Sequence, residues 1–108
     1  MSFISVYITF PTEVAAKKIT SYLIQQRYVA CANIFPITSA YWWKSAVQNE
    51  KEWVGIVKTS HAKWDALVTT VEDIHPYDVP CIMRQEVQAN AAYEKWIEAC
   101  VRDQPKEG

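Results

Sequence analysis

Two histidines and three cysteines carry most of the metal-binding and nucleophilic chemistry open to this 108-residue chain. His75 opens the segment HPYDVP, a turn flanked by Pro76 and Pro80 that would hold an imidazole in a fixed direction, as a nitrogen ligand for Cu(II) or Zn(II) needs. The plainer reading makes it a helix-end histidine bonded to a carbonyl, where the helix dipole favours a cation. Cys81 follows Pro80 directly. As a thiolate it would draw softer ions such as Cu(I) or Zn(II); as a small strand residue it would simply be buried. Asp78, between them, offers a weak oxygen ligand or support for one. The chain contains no CxxC, HxxxH or HExxH spacing. One His and one Cys do not close a tetrahedral site, so further ligands would come from another subunit, from Asp78 or from water.

The other two thiols read as structural. Cys31 lies among Val29, Ala30, Ala32 and Ile34, which predicts a buried, inert thiol with a raised pKa, and Cys100 falls on the apolar stripe of a helix. A Cys-His-Asp set built from Cys31 or Cys81 with His75 and Asp78 lacks a recognisable oxyanion loop, so the expectation is a protein that is not an enzyme. Lys58 and Arg84 stand on strands, where they either line an anion-recruiting cleft or pair with Glu52 or Glu86 across strands. His61, Lys63 and Asp65 read as the solvated start of a helix.

Those residues must be positioned by a small single domain, residues 1–108. Only Gly55 and Gly108 are glycine, which excludes Walker A and dinucleotide loops. Net charge is −1, and the 11 Lys and Arg are spread from Lys17 to Lys106, so nucleic acid is not an expected partner. The N-terminus has no basic leader and no apolar stretch approaches membrane-spanning length. Together with an odd, scattered cysteine count this predicts a cytoplasmic protein with free thiols and no membrane association.

Val and Ile number 21 and Leu two, a β-branched excess that favours strands. Alternation predicts a central strand over Phe3 to Phe10, then a helix capped by Thr12 and running to about Gln26, with Ala15, Ile19, Tyr22 and Leu23 on one face. Tyr28 to Pro36 reads as a strand continuing in extended form through Trp43. Lys44 to Glu50 is the turn of a hairpin that returns over Glu52 to Thr59. Ser60 caps a helix presenting Trp64, Leu67, Val68, Val71 and Ile74, Cys81 to Val87 gives a further strand, and Asn90 caps a last helix carrying Tyr93, Trp96, Ile97 and Cys100. DQPKEG frays at the end. The fold class is therefore α+β, a ferredoxin-like split β-α-β sandwich of order β-α-β-β-α-β plus a C-terminal helix.

With both main helices on one sheet face, the other must be covered, and its strands are apolar on both sides. Five Trp exceed what one small core hides. Tyr41, Trp42 and Trp43 alternate along a strand, so at least one ring points away from the core, and with Trp53 and Trp96 they are read as an interface with further copies of the chain.

In this setting the blocks ACANIFP (30–36), SAYWWK (39–44), VKT (57–59), HPYDVP (75–80) and YEKWI (93–97) appear in order and spacing. In these the chain resembles the CutA divalent-cation tolerance proteins, from Val6 to about Ile97. The resemblance implies a homotrimer in which the long hairpin reaches across to neighbouring sheets, and a role in tolerance or binding of divalent metals, copper in particular. It places a weakly held ion near His75 at a subunit cleft, with Cys81 and Asp78 as further ligands. Two positions depart from the family's pattern: Cys81 stands where members often place Glu, and Ile8 where some place Cys. The alternative is a trimeric small-molecule or anion-sensing signalling protein with Lys58 and Arg84 in the cleft.

Overall fold

A computed structural model describes residues 2–102; the terminal DQPKEG lies outside the described residues. The elements are β1 (Phe3–Phe10), α1 (Glu13–Gln25), β2 (Cys31–Trp43), β3 (Ala46–Thr59), α2 (Trp64–Ile74), β4 (Ile82–Val87) and α3 (Ala91–Val101), with one 3-10 turn (His61–Lys63) leading into α2. The four strands form one antiparallel sheet in the order β2-β3-β1-β4. This is the expected ferredoxin-like α+β arrangement.

Residues paired across strands share a face of the sheet. Ile4, Val6, Ile8 and Phe10 of β1 are fully buried, with Val57 of β3, Ala16, Ile19 and Leu23 of α1 and Leu67 and Val71 of α2. Burying a side chain of this size contributes about 1.5–3 kcal/mol, so this helix-side layer is the core of the molecule. Gly55 belongs to it for lack of room: a Cβ there would lie 3.0 Å from Phe10 Cε2 and 3.2 Å from Thr20 Cγ2.

Several local expectations are corrected. Tyr22 of α1 is exposed and its place on the buried face is taken by Ala16 and Thr20, one helical turn apart with Ile19 and Leu23. β2 begins at Cys31, after Arg27 takes a left-handed conformation that ends α1. The hairpin turn is only Lys44 and Ser45, both at positive φ (49° and 65°), so β3 starts at Ala46 and extends well before Glu52. Thr12 caps α1 as expected, its Oγ1 accepting from Ala15 N at 3.1 Å. Ser60 and Asn90 occupy cap positions without side-chain bonds, and Glu94 instead reaches back to accept from Ala89 N at 3.1 Å. Cys31 and Cys100 are half-buried rather than buried.

Candidate functional site

The face away from α1 and α2 carries Tyr7 and Thr9 of β1, Glu50 and Glu52 of β3, and Tyr41 and Trp43 of β2. The loop after α2 folds over the end of this face, and between loop and hairpin lies a groove of about 840 Å³. Asp78 and Cys81 line it from the loop side, Glu52 and Tyr77 in the middle, and Tyr41, Trp43 and Glu50 from the hairpin side. None of its lining residues is Lys, Arg or His.

His75 sets the position of that loop. Its ring is buried at 8% exposure and stacked on Phe10, with centroids 5.1 Å apart. Nε2 donates to the Thr9 carbonyl at 2.8 Å, and Nδ1 accepts from Tyr77 N at 3.0 Å. Those two bonds require the neutral Nε2–H tautomer, and burial lowers the imidazole pKa in keeping with it. The expected helix-end histidine is thus bonded to a carbonyl, though to that of β1 and not of its own helix. The Tyr77 hydroxyl continues the chain, donating to Glu52 Oε2 at 2.5 Å. Burial first, then this bond, raise the Tyr77 phenol far above its ordinary value. On the hairpin, Tyr41 donates to Glu50 Oε2 at 3.0 Å, and that bond is the main cause of its own raised pKa.

The proposed metal ligands are not gathered by one chain. Both His75 nitrogens are committed to backbone groups, whereas Asp78 and Cys81 face the groove. Burial, and next the Glu52 carboxylate, push the Cys81 thiol pKa up, so the sulfur is held protonated and its softness is muted. Ile8 is fully buried beneath the helices, on the face opposite Tyr7 and Thr9. Among the described residues no group of three or more His, Cys, Asp or Glu could hold one ion. The groove carboxylates Glu50, Glu52 and Asp78 are oxygen donors of the kind a divalent cation takes, but within this chain they form no complete set.

The other expectations separate in the same way. One chain does not bring Lys58 and Arg84 together, because the β1 register puts Lys58 beside Ser5 and Arg84 beside Val6, on opposite faces. Lys58 donates to Asn33 Oδ1 at 3.2 Å and to Tyr93 Oη at 3.3 Å, while Arg84 lies over the Trp64 ring at 4.9 Å. Neither pairs with Glu52 or Glu86: Glu52 takes Tyr77, and Glu86 takes His61 at 3.0 Å. Cys31 Sγ lies 3.6 Å from Tyr93 Oη, and both His75 nitrogens are bonded to backbone groups, so the imidazole of the Cys-His-Asp set is paired with neither Cys31 nor Cys81. Of the expected interface aromatics, Trp42, Trp43 and Trp96 are 72%, 41% and 46% exposed, and Tyr41 is half-buried. Trp53 is different, packing against the chain's own core.

Sequence reasoning did not single out Glu50 or Tyr77, and named Glu52 only as a cross-strand partner for Lys58 or Arg84. A charged residue alternating with Val54 and Ile56 in a sheet-forming segment was the available signal for Glu52, which is only 5% exposed.

Among the described residues no helix is long and apolar enough to cross a membrane. Residues 4–100 match the family profile described as CutA1 divalent ion tolerance protein. The chain is 39% identical over 95 residues to the divalent-cation tolerance protein CutA of Pyrococcus horikoshii, covering 87% of this chain and 93% of that one. It is 38% identical over 99 residues to the Thermotoga maritima protein of the same name, covering 91% and 98%. Its backbone is similar to the crystal structure of CutA1 from Pyrococcus horikoshii, with a TM-score of 0.90 at 37% identity, covering 93% of this chain and 99% of that one. The rice CutA1 crystal structure gives 0.90 at 35% identity, covering 96% and 97%. The matched span takes in every strand, both core helices and the loop pinned by His75, and on that basis the chain belongs to the CutA1 divalent ion tolerance family.

Proposed function

We propose that this chain is a non-enzymatic, cytoplasmic homotrimer that binds divalent cations, copper among them, in the acidic groove where subunits meet, and so takes part in the response to metal ions. The observation that carries the reading is the groove's charge: Glu50, Glu52 and Asp78 line it without a cationic side chain among them. Relatives named for divalent-cation tolerance support the same assignment. Asp78 is the exposed carboxylate at the loop edge, where an oxygen or nitrogen donor from a neighbouring copy would complete the set. His75 acts by fixing the loop that carries Asp78 and Cys81.

Copper binding to the assembled protein, followed by equilibrium dialysis, separates these roles. Asp78→Asn is expected to weaken it at least about tenfold, the scale of one lost charged donor or its support. His75→Gln is expected to act mainly through stability, leaving affinity of the folded fraction within a few-fold. Equal copper affinity in wild type and Asp78→Asn would remove the groove as the site. The anion-sensing alternative is not favoured by the single chain, whose Lys58 and Arg84 lie on opposite faces of the sheet.

A further inference from the structure

We draw no further inference here: the strongest candidate, the side-chain cluster where Tyr93 of α3 meets the Cys31–Lys58 cross-strand pair of β2 and β3, rests on a single cysteine joined to its neighbours by hydrogen bonds within the cluster alone, and nothing in the structure points to a ligand for it.

Discussion

His75 illustrates how a residue can matter at a site without touching what binds there. Its nitrogens tie the Thr9 carbonyl of β1 to the Tyr77 amide, and its ring rests on Phe10. Burial disfavours the charged imidazolium and so lowers the folded pKa, and protonation would also put a hydrogen on Nδ1, which already accepts from Tyr77 N. The sign of the linkage follows. The contribution is complete above the unfolded value of about 6.5 and is lost as pH falls from there toward the lowered folded value. Urea unfolding from pH 8 to pH 5 is expected to show a drop in stability below about pH 6.5 that is smaller in His75→Gln; an unchanged drop would remove the linkage from His75. At neutral pH the same variant is expected to lose about 1–3 kcal/mol, the cost of unpaired buried groups. Gly55→Ala tests the core in a similar way. Its new Cβ would press on Phe10 and Thr20, and overpacking of this kind costs about 1–3 kcal/mol. A thermal midpoint equal to wild type would mean that Phe10 yields freely. The sequence marked His75 through its place in HPYDVP, but its partner Thr9 is 66 residues away and only the sheet brings it near. Glu52 was harder still to read, because burial of a carboxylate depends on a tyrosine in a loop that packs on it from another element.

At the scale of elements, the scarcity of glycine leaves a visible trace. Among the described residues, the left-handed positions outside glycine fall on Arg27, Lys44 and Ser45. Arg27 follows α1 in a Schellman arrangement, with Tyr28 N bonded to Leu23 O at 2.9 Å and Arg27 N to Ile24 O at 3.1 Å. Its guanidinium then donates to the Cys100 carbonyl at 2.8 Å, tying the end of α3 to the end of α1. Lys44 and Ser45 close the hairpin in a type I′ turn, where left-handed backbone strains any side chain. Ser45→Gly is therefore expected to stabilise by about 0.5–1 kcal/mol, relief of strain exceeding the added unfolded-state entropy. Denaturant unfolding checks this, and a loss of stability would mean that the serine side chain does more than the backbone suggests. Alternation and spacing were enough to read the order of strands and helices, because period 2 and period 3.6 are local. The hairpin was read short for an equally local reason. Lys44 to Glu50 reads as a loop, yet only two residues turn, and the rest pair across to β2.

At the scale of the whole molecule, the sheet has one well-filled side and one left partly open. Helix α3 contributes Ile97 and Val101 to burial, and its Tyr93 meets Phe3 at the near end of the open face. Phe35 and Met83 on that face stay exposed, as does Trp43 on the same side toward the tip of the hairpin, with Trp42 and Val47 exposed on the opposite side of the tip. The excess of tryptophan was legible in composition, but which rings were surplus was not: Trp53 and Trp64 pack on the core, and Trp42, Trp43 and Trp96 do not. Assembly through these rings, as proposed, would give the groove a neighbour able to supply further donors. Sedimentation equilibrium of the wild-type protein at micromolar concentration tests this most directly. The expected result is a single species of three times the 12.4 kDa chain mass; a clean monomer would contradict the account, leaving both the exposed rings and the half-built cation site without a partner.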